Sequence, residues 1–254
     1  MSPLLQKLQQ VIPVNETLTD RWDREWLAYF LTEDPRPFLL NYQELKIIDE
    51  VKGKKPVDVY HTRLVATEEV GAFPPLCIWI DGDHIVGKHI LELGCGPGVL
   101  GKQVGQVAAS YMGIDYSRLA VHLARLTSPP QCTYYHLAEL DQIITHTGTI
   151  DAMVGRFFFI HQNYQNLFWI LVLASILLKP GGVISADFYL RNPAVPQGII
   201  YPAHHDLDER YPSCAFEYTE LDILQVARET DFRIANIIDN IDLQRRFTLF
   251  VKPL

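Results

Sequence analysis

The feature that most constrains this chain is a glycine-rich turn, Leu91-Glu92-Leu93-Gly94-Cys95-Gly96-Pro97-Gly98, set between an apolar strand and a helical stretch. Glycines at alternate positions let the backbone take positive φ and let a ligand approach where a Cβ would collide. The N–H groups that open the following helix then face an anionic or polar group. A second strand, 110–115, ends in Gly113-Ile114-Asp115. A carboxylate there can accept hydrogen bonds from both hydroxyls of a ribose. Turn and acid together predict a nucleoside-cofactor site at the carboxyl edge of a sheet.

The surrounding pattern supplies that sheet. From His89 onward, strands are expected at 90–93, 110–115, 133–137, 150–159 and 183–188. Helices are expected from the glycine turn to about 108, from a Ser117 cap to 126, and over 167–178. Lys179-Pro180-Gly181-Gly182 reads as a stop signal before the fifth strand. A helix over 220–230 precedes strands at 232–238 and 247–251, which are joined by too few residues for a helical crossover and so pair antiparallel. Strands alternating with helices predict an α/β fold: a doubly wound, mostly parallel seven-stranded sheet with an antiparallel last strand. Residues 1–85 read as an N-terminal helical cap and 86–254 as the main domain, since so short a leading piece would make a marginal core. Within the cap, Trp22, Trp26, Leu27, Phe30 and Leu31 repeat at helical spacing over 19–32, and Pro35 and Pro37 end that helix. A second helix is expected over 40–51, stopping at Gly53, with extended chain over 57–66 and a break at Pro74-Pro75.

Gly96 to Gly101 also spells G-x-G-x-x-G, the dinucleotide fingerprint, which makes a nicotinamide-dependent oxidoreductase the rival reading. Against it stands Glu92, whose carboxylate would repel a pyrophosphate but attract a methionine ammonium. The late position of the turn and the paired final strands also differ from an all-parallel dinucleotide sheet.

Four stretches in order resemble the motifs of class I S-adenosylmethionine-dependent methyltransferases. They are residues 91–98, Gly113-Ile114-Asp115-Tyr116-Ser117, the run from Ile150-Asp151-Ala152-Met153-Val154 through His161, and Leu177-Leu178-Lys179-Pro180-Gly181-Gly182. The resemblance covers roughly 86–254 and implies S-adenosyl-L-methionine as methyl donor. By position it implies that Gly94, Cys95, Gly96 and Gly98 form the cradle for the methionine and ribose. Glu92 would lie near the ammonium, directly or through water, and Asp115 would take the ribose hydroxyls with Tyr116 against the adenine. Backbone around Arg156 and Phe157 would border the sulfonium. Many members carry an Asp after the third strand that holds the adenine amino group. Here that region reads Tyr135-His136-Leu137-Ala138-Glu139, so either Glu139 substitutes or backbone around Ala138 reads the base.

The acceptor is less legible. Alignment of a nucleophile behind an already electrophilic methyl supplies ~7–11 kcal/mol, so such sites need no strong catalytic signature. His161, leaving the fourth strand, is the candidate general base. His204 and His205 lie beside Asp206, Asp208 and Glu209 in a polar loop, with Tyr189, Arg191, Tyr201 and Tyr211 in the same stretch; no metal site is expected there. The aromatics Trp22, Trp26, Tyr29, Phe30, Tyr42 and Tyr60 suit a lid that keeps water out. The expected reaction is methylation of a nitrogen or oxygen of a small molecule. A protein or peptide acceptor is the alternative, because residues 73–80 loosely resemble protein lysine methyltransferases.

Composition narrows the partners. With 30 Asp+Glu against 22 Lys+Arg, the chain lacks the overall basic balance of a nucleic-acid binder. Lys52, Lys54 and Lys55 flank Gly53 and Pro56 as a solvated turn. Cys77, Cys95, Cys132 and Cys214 form no C-x-x-C pair, as expected of reduced thiols in a cytoplasmic protein. The apolar run 167–178 is too short to span a bilayer, and no leader is expected at the N-terminus. That helix is apolar on nearly every face, so the cap or a second subunit, in a homodimer, should cover it.

Overall fold

The computed structural model describes residues 16–32, 82–190, 200–207, 215–241 and 245–254, together with Gln6. The elements, in chain order, are α1 (Glu16–Thr32), β1 (His89–Leu93), α2 (Val99–Val104), β2 (Ser110–Asp115), α3 (Arg118–Thr127), β3 (Cys132–His136), α4 (Leu140–Ile143) and β4 (Ile150–Gly155). They continue with α5 (Tyr164–Leu177), β5 (Leu178–Tyr189), β6 (Ile200–Pro202), β7 (Ala215–Glu217), α6 (Glu220–Glu229), β8 (Arg233–Asn240) and β9 (Arg245–Val251).

One sheet runs β3-β2-β1-β4-β5, and β9 adds to β5 antiparallel with β8 beyond it. Right-handed crossovers place α2 and α3 on one face and α4, α5 and α6 on the other. The α2/α3 face packs Leu100, Val104, Val121 and Ala124 on Ile90, Tyr111 and Tyr134. The opposite core gathers Leu167, Ile170, Leu171 and Leu177 with Leu91, Met153, Ile184 and Phe250. No apolar residue of α5 is exposed: seven of its positions are buried, and Phe168, Trp169, Val172 and Ile176 are half-buried. The expected burial of this helix therefore holds. Its start is fixed by Asn163, whose side chain accepts the Asn166 N–H. Ser117 caps α3 as expected, and Thr219 and Asp222 form a reciprocal capping box at α6.

Three expectations are corrected. The sheet has nine strands among the described residues, not seven, because β6 and β7 pair with each other and join the carboxyl end of β5 at Tyr189↔Glu217. These three-residue strands lie in a segment without strand periodicity, so only their partners make them strands. The helix ends at Leu177, as the stop signal at Lys179 to Gly182 predicts, but β5 begins at Leu178 and not at 183 and runs through that signal, since Gly181 N–H donates to Lys252 O and Lys252 N–H to Gly182 O. The cost is a register shift opposite Ile150/Ala152. The fourth strand ends at Gly155 rather than 159, because Phe157 takes φ 56° and turns the chain into a 3-10 turn at Phe159–His161.

The expected helix at 40–51, the extended chain at 57–66, the Pro74-Pro75 break and the stretch 73–80 lie outside the described residues, as do Arg191, Asp208, Glu209 and Tyr211. No helix of the described residues is long and apolar enough to cross a membrane.

Candidate cofactor site at the carboxyl edge

The strand-to-helix turn after β1 is built as its glycines require. Gly94, Gly96 and Gly98 take φ of 70°, 49° and 76°, and the N–H groups of Gly94 and Cys95 both donate to Ile114 O, at 2.8 and 3.1 Å. The turn is thus tied to the end of β2. There Asp115 Oδ2 accepts the Gly96 N–H at 2.8 Å and Oδ1 the Ser117 N–H at 2.8 Å. Each oxygen keeps a further lone pair for a ligand hydroxyl. Burial pushes the Asp115 carboxyl up to about 6; the two N–H groups pull it down, while Glu92 and Asp23 push it up.

Helix α1 lies across this edge. A Cβ on Gly96 would stand 2.7 Å from the Trp26 ring, so the missing side chain is what lets that buried indole rest on the turn. Asp23 Oδ1 accepts Ser117 Oγ–H at 2.6 Å and Leu119 N–H at 3.0 Å. Thr19 Oγ1 stands 3.2 Å from His136 Nε2, and Trp22 meets the His161 ring edge-on at 5.0 Å. His136 Nδ1 accepts the Ala138 N–H, which leaves Nε2 to donate to Tyr116 O at 2.8 Å. Burial holds that imidazole below its usual range.

The other candidate residues gather around the same edge. Glu92 is 1% exposed; its Oε2 accepts Tyr111 O–H and its Oε1 faces the Arg156 guanidinium, with Nη2 at 3.1 Å. Cys95 is buried, with its thiol pushed well up by burial and by the Asp115 and Glu92 charges, which keeps it a small neutral filler. Tyr116 is buried, stacked on Phe158 at 6.0 Å, with its hydroxyl donating to Gln162 Oε1. Phe158 in turn packs on Gly94. Ala138 is exposed in the turn after β3. Glu139 caps that turn instead of projecting freely: it accepts the His136 N–H at 2.7 Å and pairs with Arg125 at 2.8 Å. His161 is half-buried on the 3-10 turn.

Residues 90–182 match the model of the "Methyltransferase domain" family. Over 181 residues the chain is 26% identical to a ubiquinone biosynthesis O-methyltransferase of Paraburkholderia xenovorans, covering 67% of this chain and 77% of that one. A relative of the same description from Thiobacillus denitrificans is 29% identical over 118 residues, 45% of this chain and half of its own length. Among solved structures, an S-adenosylmethionine-dependent methyltransferase from Mesorhizobium loti superposes with TM-score 0.54 at 14% identity, over 72% of this chain and 99% of that one. One from Methanosarcina mazei gives 0.51 at 15% identity, over 73% of this chain and all of that one. These two show the fold. Residues 90–182 are thus a methyltransferase domain, carried on a fold shared with S-adenosylmethionine-dependent methyltransferases. The last glycine of the dinucleotide-like string serves packing of helix on sheet: a side chain on Gly101 would strike Tyr134 and Tyr111.

The methyltransferase also carries a network that sequence reading missed. Asp187, near the end of β5, is fully buried, accepts the Phe157 N–H at 2.9 Å and pairs with Arg245 of β9 at 3.1 Å. The Arg245 guanidinium lies over the Phe157 ring, 5.1 Å from its centre. This holds Phe157 in its left-handed conformation at the exit of β4. The signal was a lone Asp in the apolar run Val-Ile-Ser-Ala-Asp-Phe. Its partner lies 58 residues away, beyond any local pattern. Likewise Tyr111 reads as a core aromatic, and Asp23 as a solvated helix residue, until the fold sets them against Glu92 and Ser117.

His204 and His205 stay apart from this edge's centre. His204 stacks on Tyr164 at 4.3 Å and pairs with Asp222, while His205 stacks on Tyr201 at 4.2 Å.

Proposed function

We propose that this methyltransferase moves a methyl group to an oxygen or nitrogen of a small molecule, with an oxygen acceptor the first to test. One observation carries the placement of the donor: Asp115 bridges the left-handed glycine turn and the start of α3, so cradle and ribose acceptor form one hydrogen-bonded unit. The residues present fit S-adenosylmethionine. Gly94, Cys95, Gly96 and Gly98 border its methionine and ribose, Asp115 takes the ribose hydroxyls, and Tyr116 with Ala138 borders the base. With Glu139 committed to Arg125 and the His136 N–H, base recognition falls to apolar contact and backbone. The donor supplies an electrophilic methyl on a sulfonium. The chain's own work is then to align, to exclude water and to receive a proton. Phe157, fixed by Asp187, shapes the exit of β4, and Arg156 and Glu92 stand beside it.

His161 is the proton acceptor in this reading, held by Trp22 on the turn that leaves β4. Helix α1, through Trp22 and Trp26, serves as a lid over this edge. An oxygen acceptor is supported by the O-methyltransferase relatives. The test has two stages. Calorimetry should detect S-adenosylhomocysteine binding; the absence of binding would remove the donor site. Transfer of labelled methyl from S-adenosylmethionine to a panel of phenols, carboxylic acids and amines, with peptides beside them, should then label a small molecule. Label appearing only in peptides would overturn the acceptor class.

A further inference from the structure

The side chain of Arg156, which follows β4 beside the end of β1, has donors left over from its pair with Glu92. Glu92 sits two residues before Gly94 and is almost wholly enclosed, with one oxygen on Tyr111 and the other on Arg156. Burial raises its carboxyl, while Arg156 and Tyr111 draw it back down. The Glu92 carboxylate is therefore covered by a phenol and a guanidinium, and of that pair it is the guanidinium that keeps some exposure. Arg156 spends Nε and Nη2 on Glu92; its Nη1 has no partner among the described residues, and the side chain keeps 13% of its surface exposed. Arginine presents five N–H donors in a planar fork suited to two carboxylates at once. Holding one side of that fork on a buried, anchored acid removes much of the rotamer freedom that a second partner would otherwise have to freeze.

We infer that Arg156 binds the α-carboxylate of the donor's methionine moiety, with Glu92 and Tyr111 as the positioning residues that aim it. This rests on the donor site proposed above and adds to it a residue that selects for the intact amino-acid tail. Charge supports the assignment. Glu92 and Arg156 cancel, so the donor's carboxylate finds a donor-rich surface there instead of the bare anion that the sequence places beside the turn.

Three probes separate the possibilities: S-adenosylhomocysteine, its decarboxylated analogue (which keeps the ammonium), and 5′-methylthioadenosine, which lacks both groups. Calorimetry is run on the wild type, on Arg156→Lys, and on the double variant Arg156→Met/Glu92→Gln. The double variant leaves no orphaned buried charge and so guards against simple unfolding; its denaturation midpoint is recorded alongside. In the double variant, S-adenosylhomocysteine should bind about 10- to 100-fold more weakly, as for a lost charge-assisted hydrogen bond, with an intermediate loss in Arg156→Lys. The decarboxylated analogue and methylthioadenosine should stay within about twofold of wild type. Equal losses for S-adenosylhomocysteine and its decarboxylated analogue would overturn the inference in favour of an ammonium contact. Unchanged affinity for all three would assign the ion pair to folding alone. A wild type that binds none of the probes would instead remove the donor site itself.

Discussion

Donor binding should switch on with pH through the ionisation of Asp115. Burial raises this carboxyl from 3.8 to about 6. A raised acid favours the protonated form in the folded state. Its stability contribution is thus present in full below pH 3.8 and is lost as pH rises through about 6. At neutral pH the fold carries Asp115 as an anion, at a cost of roughly 3 kcal/mol at about 1.4 kcal/mol for each pH unit. That anion is the form which accepts ribose hydroxyls. If only the anion binds, the apparent dissociation constant for S-adenosylhomocysteine rises about twofold at pH 6 and about elevenfold at pH 5, relative to pH 8. Calorimetry from pH 5 to 8 measures this directly. Asp115→Asn should bind weakly at every pH and show a flat profile, because its amide cannot titrate and turns an N–H toward Gly96 or Ser117. A flat profile in the wild type would refute the placement of Asp115 in the site. So would a slope retained in Asp115→Asn, which would assign the titration to another group, such as His136.

Other expectations test the supporting structure. Asp187→Asn breaks the buried ion pair with Arg245 and should cost about 3–5 kcal/mol by chemical denaturation, far more than an exposed ion pair gives; a loss below 1 kcal/mol would show that the pair is dispensable. Trp26→Ala removes the ring that rests on Gly96, so amide exchange over α1 should quicken at least tenfold while β1 and β4 keep their protection. Equal rates in both proteins would mean that the other contacts of α1, through Leu18, Thr19, Trp22 and Asp23, hold the helix without Trp26. For His161→Ala, turnover with an identified acceptor should fall by on the order of 10²-fold with S-adenosylhomocysteine affinity kept, and an unchanged rate would remove His161 as proton acceptor.

The sequence by itself determined what depends on near neighbours. Alternation of strands and helices, the left-handed glycine turn, the Ser117 cap and the antiparallel final pair all arise within a few residues, and each was legible before the fold. The burial of α5 followed from its lack of a polar face. Tertiary structure decided what depends on distant partners. It made strand of Lys179-Pro180-Gly181-Gly182, directly after the helix that ends there, by supplying Lys252 opposite, and it made strands of β6 and β7 by giving them each other. It enclosed Glu92 between Tyr111 and Arg156 and joined Asp187 to Arg245 across 58 residues. Local conformation is written in local propensity, whereas the charge a ligand meets is set by which side chains the packed core brings within 3 to 4 Å, and no spacing along the chain encodes that.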